Sequence, residues 1–447
     1  MSSFELKNIT TKITEALRKP LIRNMLIVGV VTVLIKIIAF YKETMIASGF
    51  GLSELLDTFI IAILVPSFIQ SVFLNSFKNI FIPNYITEMK NGGNKAGFQS
   101  VIFLITIGVS LLSALVAYLS TDFFLDLIYP GKTEVYYQLV KDQLFIILPC
   151  LFFWGISSVL NGLLEIENRF LVSTISELFP LFTMILFLLF LKDSLGNMVL
   201  AFGTLAGSVL GFFFLLIFTI KHKDLLIGQP VLNSNTWLML RQLPPKISSS
   251  FLTALNEYVD QFFAVQLAVG SLAALTYGIK IPSFAITIVI TAVGTVLLPH
   301  FSRLVNDNLQ SAYEQLFKTL KLVFVVGVIV TLITILMSDW IIEFLFERGE
   351  FTHDNTLKVS GIQKIIFIHV PFYICTLIIV KFLTSINKNT FMAWISLANL
   401  VINVVLNIIL IKHYDVYGLA ISTSLVLIIS SCFYFGYTYR QYKKIKS

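Results

Sequence analysis

Apolar windows of about 20 residues, broken by short polar stretches, recur along the whole chain, and each is long enough to cross a bilayer as a helix. They predict twelve spans, at 24–47, 55–78, 98–120, 140–163, 170–191, 197–220, 246–268, 271–298, 316–338, 362–384, 391–411 and 417–438. The pattern repeats at long range. Val65-Pro66-Ser67-Phe68 and Ile82-Pro83-Asn84-Tyr85 return in the second half of the chain, equally spaced, as Ile281-Pro282-Ser283-Phe284 and Leu298-Pro299-His300-Phe301. Asp122 to Asp126 is echoed by Asp339 to Glu343 at nearly the same offset. Internal duplication in an apolar chain is a signature of carriers built from two related halves.

Composition agrees. Of the residues, 57% are hydrophobic and 13% charged, where a soluble domain carries roughly 25% charged residues. The chain therefore reads as an all-α polytopic membrane protein with two pseudo-symmetric six-helix lobes around a central cavity. The expected division is 1–220 for the N-terminal lobe, 221–246 for a linker that serves as hinge, and 247–447 for the C-terminal lobe. Six helices per half is an even number, so both halves enter the membrane in the same direction. The polar start, Met1 to Arg23, does not read as a cleavable signal.

The net charge of +7 is a topology signal. Of 32 Lys and Arg, 22 fall on the side of both termini, and seven (Lys132, Lys141, Lys192, Arg348, Lys358, Lys364 and Lys412) on the other. The positive-inside rule places both termini in the cytoplasm, and a nucleic-acid partner is not indicated. The remaining three, Lys36, Lys42 and Lys280, lie within spans, where an ammonium costs at least a few kcal/mol unless it meets water or counter-charge. Lys36 and Lys280 fall at comparable depth on helices of opposite lobes, a pattern that suits a clamp on one anion. Their alternative is separate neutralisation by backbone carbonyls or by a carboxylate such as Glu43.

Lys42 and Asp57 flank a short outer turn, where the choice is between gating and a modest exposed ion pair. Asp260 lies in the seventh span, and Asn399, Asn403 and Asn407 recur on one face of the eleventh. Such oxygens can hold a sodium ion or a proton, or serve in interhelical hydrogen bonds. Cys150, Cys375 and Cys432 are isolated, so neither a disulfide framework nor a metal site is indicated. The five His residues form no catalytic pattern, there is no phosphate-binding glycine loop, and the chain does not read as an enzyme.

Three motifs carry a family resemblance. Phe40–Gly51 (FYKETMIASGFG) with Leu56-Asp57, Ala274–Tyr277 (ALTY) with Lys280 and Gly294–Pro299 (GTVLLP), and Leu345–Thr352 (LFERGEFT) resemble the MurJ/MviN lipid II flippases. The chain is similar to a short, twelve-helix member of that family. The resemblance implies the multidrug/oligosaccharidyl-lipid/polysaccharide exporter fold, alternating access, and a polyprenyl-diphosphate-linked saccharide as substrate. It implies location in the bacterial cytoplasmic (inner) membrane beside glycan polymerases or glycosyltransferases. No bound cofactor is expected, with a Na+ or H+ gradient or the membrane potential as the drive.

Carried over by position, Lys36, Lys42 and Lys280 would bind the diphosphate, and the family's second-helix aspartate falls on Asp57, a gating or charge-pairing position; Glu43, from its place on the first helix, is the other charge-pairing candidate. A sodium site would fall on Asp260, Asn399 and Asn403. The family has Arg at the three lysine positions and paired arginines where this chain has Gln70 and Ser71. Those departures widen the expected cargo from lipid II to other surface-polysaccharide units. The rival readings are a multidrug/cation antiporter of the same superfold and a non-transporting scaffold of envelope synthesis.

Overall fold

A computed structural model describes residues 20–128, 131–386 and 388–446, apart from the side chains at 20–27, 127–128, 257, 288–300, 302–303, 306–307 and 389–390. The basic tail 1–19 therefore lies outside the described residues, as do the side chains of Pro299 and His300. Every element described is a helix. Eight helical stretches among the described residues are long and apolar enough to cross a membrane.

In chain order the helices are α1 (Pro20–Phe50), α2 (Glu54–Ile69), a π turn (Gln70–Leu74), α3 (Asn75–Lys90), α4 (Lys95–Leu119), α5 (Thr121–Ile128), α6 (Glu134–Ile147), α7 (Cys150–Ile166), α8 (Phe170–Ser176) and α9 (Leu178–Phe190). There follow α10 (Lys192–Leu195), a 3-10 turn (Gly196–Met198), α11 (Val199–Lys221), α12 (Ser234–Val265), α13 (Ser271–Asp307), α14 (Leu309–Leu336), α15 (Ser338–Phe346), α16 (His353–Ser385) and α17 (Asn389–Lys446).

Local chemistry explains several breaks. Pro66 removes a backbone donor, and the backbone widens into the π turn just after it, so the span expected at 55–78 lies within one helical stretch, Glu54–Lys90, that changes its winding partway. Asp415, at φ 51°, kinks α17 into two helices, which separates the stretches expected at 391–411 and 417–438. α12 starts at Ser234, so the second half of the segment expected as linker is helical, Pro244 and Pro245 included.

The chain forms two compact units by internal contact. Unit 1 runs up to Ile46 and continues through Ile61–Leu125 and Lys132–Phe251; unit 2 comprises Ala47–Ile60, Asp126–Gly131 and the chain from Leu252 onward. In unit 1, Leu160, Leu164 and Leu215 centre a core of α7 and α11 side chains. In unit 2, Phe382 packs edge-on against Phe301 and Tyr313 at centroid distances of 5.4 and 4.7 Å.

The echoed acidic motifs do the same job in each unit. Asp122 pairs with Lys141 at 2.7 Å, and Asp339 with Lys364 at 2.6 Å. The Lys364 hydrogen bond, helped by Ser360, holds the Asp339 carboxyl below its ordinary value.

The non-helical stretch after α11 is fastened to unit 1. The Gln99 amide donates to the Asp224 carbonyl at 3.1 Å and accepts from Leu226 N at 2.8 Å. The Ser100 hydroxyl accepts from Gly228 N at 3.0 Å. Further on, buried Glu88 accepts from the amides of Asn233 and Asn235, each at 2.8 Å, at the start of α12.

Candidate functional site

In unit 1 the two N-terminal lysines have separate electrostatic partners. Lys36 is on an exposed face of α1 and interacts with Glu177, the carboxylate between α8 and α9, which also feels Lys78. Lys42, half-buried, pairs with its chain neighbour Glu43 at 2.7 Å. Adjacent residues on a helix point apart, so this pair depends on the reach of two long side chains. The structure thus gives Glu43 to Lys42, where the sequence had offered it to Lys36. Gln70 and Ser71, at the paired-arginine positions, lie in the π turn.

In unit 2 Asp57 is 4% exposed, which corrects the exposed ion pair weighed for it. Its two carboxylate oxygens accept from the backbone: Oδ2 from Gly270 N at 2.5 Å and Oδ1 from Ala273 N at 2.8 Å. Those are the N-cap and third residue of α13. In a capping box the N-cap side chain and an acidic third residue satisfy these same two donors. Here the N-cap is glycine and the third residue is alanine, so neither can. Asp57 supplies both acceptors from elsewhere in the chain, with its charge set against the positive end of a 37-residue helix. Gly270 sits at φ +82°, and a Cβ there would meet the Leu52 carbonyl at 2.5 Å. The donor Ala273 is also the residue that the internal repeat aligns with Asp57.

The LFERGEFT motif anchors the same turn. Glu350 N donates to the Ser48 carbonyl at 2.9 Å, and Gly349, at φ +60°, would place a Cβ 2.3 Å from that oxygen. Gly349→Ala is therefore expected to cost about 1–3 kcal/mol through left-handed strain and the lost close approach. A denaturant melt of the purified chain, with an exposed control such as Glu350→Ala, checks it.

Buried Phe351 and Phe346 from this motif enclose Tyr277, with centroids 5.9 and 5.2 Å away. The Lys280 ammonium lies 5.6 Å from the Tyr277 ring centroid, within cation–π range. The motif thus shapes the surroundings of a candidate phosphate-binding cation.

The Asp260 cluster is the other polar site of unit 2. Asp260 is 8% exposed. Its Oδ1 accepts from Asn407 Nδ2 at 2.8 Å and its Oδ2 from the Thr423 hydroxyl, with Asn403 beside the carboxylate. Asn399 instead donates to Ser430 at 3.0 Å. Residues 399 and 407 are about 12 Å apart along a helix, so one carboxylate cannot meet both.

Sequence reasoning placed Asp260 and Asn403 in this cluster but did not single out Thr423, an unremarkable hydroxyl in an apolar run. The donor chemistry fits a monovalent cation: one carboxylate, two amides and a hydroxyl, with Asn407 Oδ1 buried and lacking a hydrogen-bond partner. Among the described residues no group of three or more His, Cys, Asp or Glu is placed to hold a metal ion.

Comparison with known proteins agrees with this architecture. A family model described as "MurJ: Lipid II flippase MurJ" matches residues 46–447. A probable lipid II flippase MurJ of Buchnera aphidicola subsp. Baizongia pistaciae is 24% identical over 418 residues, covering 91% of this chain and 81% of that protein. Its counterpart in Vibrio cholerae is 25% identical over 425 residues, with the same coverage of 91% and 81%.

Among solved structures, lipid II flippase MurJ in an inward closed conformation matches with a TM-score of 0.77 and 24% identity, over 92% of this chain and 86% of that one. An inward-facing multidrug resistance MATE transporter of the MOP superfamily matches with 0.75 and 13% identity, over 91% and 94%. These structural likenesses establish the fold, which MurJ and MATE proteins share. The family match decides between them: the chain belongs to the MurJ lipid II flippase family.

Proposed function

We propose that this chain moves a polyprenyl-diphosphate-linked saccharide, lipid II or a related surface-polysaccharide unit, from the cytoplasmic to the outer leaflet by alternating access. The observation that carries the reading is the family match across residues 46–447. Both termini are cytoplasmic, in keeping with the bias of basic residues toward their side.

The diphosphate is the costly part of the cargo, because an unpaired anion in hydrocarbon loses its hydration. Lys36 and Lys280 replace that hydration with charge, and Tyr277 fixes the approach of the Lys280 ammonium. Lysine binds phosphate as a point charge without the fork of arginine, so the contact supplies charge without fixing the orientation of the phosphate. A head group of about two negative charges leaving an inside-negative cell gains about 4–5 kcal/mol per 100 mV if no compensating charge moves.

Asp260, Asn403, Asn407 and Thr423 would hold Na+, whose charge there balances the buried carboxylate. Sodium is then expected to raise the melting temperature of the purified chain more than potassium does. At 100 times its Kd the ion would add about 2.7 kcal/mol, and Asp260→Asn is expected to abolish the difference.

The functional test is replacement in a bacterium whose own lipid II flippase can be shut off. Growth supported by this chain, and lost with Lys280→Ala at equal expression, supports lipid II as cargo. Failure to support growth, with rescue instead of a strain lacking a surface-polysaccharide flippase, assigns the cargo to that class. Rescue of neither contradicts the proposal.

A further inference from the structure

Each unit contains an apolar groove, and the two grooves are built from equivalent positions of the repeat. The unit 1 groove, about 430 Å3, lies between α4, α7 and α11. The unit 2 groove, about 490 Å3, lies between α14, α16 and α17. On the first wall Ser100, Phe103, Leu104 and Ile107 return in the second half, with their spacing kept, as Phe317, Leu320, Lys321 and Phe324. On the other two walls Ile156, Leu160, Phe212 and Leu216 return, at a slightly longer common offset, as Cys375, Ile379, Ser431 and Phe435.

The grooves differ in what lies over them. In unit 1 the chain leaving α11 crosses the groove and lines it with Leu225, Ile227, Gly228 and Pro230. Its backbone is held by Gln99 and Ser100, and it comes so close to α4 that a Cβ on Gly97 would meet the Gln229 carbonyl at 2.7 Å. In unit 2 the positions of Gly97, Gln99 and Ser100 are Glu314, Leu316 and Phe317. The bare backbone has become a glutamate, and both hydrogen-bonding side chains have become hydrocarbon. A peptide laid over this groove would leave its N–H and C=O groups without those partners, which is costly away from water.

A hydrocarbon chain needs no such partners. The wall hydroxyls are already engaged: Thr376 donates to Ser431 at 2.7 Å, and Ser431 to the Leu427 carbonyl at 2.7 Å. One wall position has changed from apolar to charged, since Leu104 corresponds to exposed Lys321. Around it Leu322, Val325 and Val326 are exposed, as expected of a face turned to lipid.

We propose that the unit 2 groove binds one acyl chain of an anionic glycerophospholipid, with the lipid phosphate on Lys321. The lipid takes the place that the chain's own Leu225–Pro230 segment takes in unit 1. Basic groups beside apolar slots between membrane helices bind anionic head groups in this way.

The test is native mass spectrometry of the full chain in detergent, titrated with dioleoylphosphatidylglycerol or dioleoylphosphatidylcholine. One phosphatidylglycerol is expected to be retained about fivefold more tightly than phosphatidylcholine, the contribution of one basic side chain. Lys321→Gln is expected to erase that preference, and Cys432→Trp, at the mouth of the groove, to reduce retention of both lipids. Equal retention of the two lipids by the wild type overturns the proposal, as does wild-type behaviour in both variants. Displacement of phosphatidylglycerol by undecaprenyl phosphate at equal concentration would assign the groove to the cargo's tail and also overturn it.

Discussion

Replacing Asp57 with Asn is expected to cut transport at least about tenfold while leaving a folded protein, because the change removes a charge from two backbone hydrogen bonds. The carboxylate accepts from Gly270 N and Ala273 N at the start of α13, and is almost wholly buried there. Hydrogen bonds to a charged partner contribute about 1.5–3 kcal/mol each, and the helix terminus adds up to about 2 kcal/mol in partly buried geometry. Asparagine offers a single acceptor oxygen and turns an N–H toward other N–H groups, so at least one donor loses its partner.

The consequence for transport follows from chain connectivity. Residues Ala47–Ile60 belong to the first repeat by sequence but to unit 2 by contact. Asp57, Ser48 and Leu52 are the fastenings that keep them there. Hydrogen exchange separates this account from general destabilisation. The Gly270 and Ala273 amides should exchange faster in Asp57→Asn, while the α7 and α11 core amides keep wild-type protection. Unchanged exchange at 270 and 273 would show that the clasp is not what holds the helix end.

The second large effect is expected from the membrane-depth lysines. Lys36→Ala and Lys280→Ala should each reduce transport about tenfold to a hundredfold, the loss of one charged contact to a desolvated phosphate. Lys36→Arg and Lys280→Arg should keep most of it, since arginine preserves the charge and adds donors. Tyr277→Leu tests the cation–π contact separately, because it removes the ring and leaves the Lys280 charge for the phosphate. A transport assay reports the loss, and equal surface expression excludes misfolding. Wild-type rates in both alanine variants would remove the lysines from the binding of the diphosphate.

Much of this was legible in the sequence for a direct physical reason. Bilayer thickness sets the length of an apolar window, so the helical class and the duplication could be read from residue spacing alone. Lys36, Lys42 and Lys280 stood out because charge within a span is costly. The roles that depend on distant contacts were not legible. Nothing local marks Asp57 as the cap of a helix that starts at Ser271, in the other half of the chain. The exchange of Asn399 for Asn407 beside Asp260 depends on helix register, which an i, i+4, i+8 pattern leaves open. Pro244 and Pro245 read as a linker, yet they lie inside α12, whose start is capped by Asn233, its Oδ1 accepting from Thr236 N at 2.8 Å, while Glu88 accepts from the Asn233 and Asn235 side chains.

The most direct measurement is translocation of a fluorescent polyprenyl-diphosphate saccharide in vesicles carrying the purified chain, read as exposure of the sugar to an impermeant labelling enzyme on the far leaflet. The expected result is protein-dependent exposure with the wild type, about tenfold or more slower with Lys36→Ala plus Lys280→Ala, and slower with Asp57→Asn. No exposure above protein-free vesicles for any polyprenyl-diphosphate saccharide, with uptake of a cationic dye by the same vesicles, would contradict the account and favour a cation antiporter on this fold.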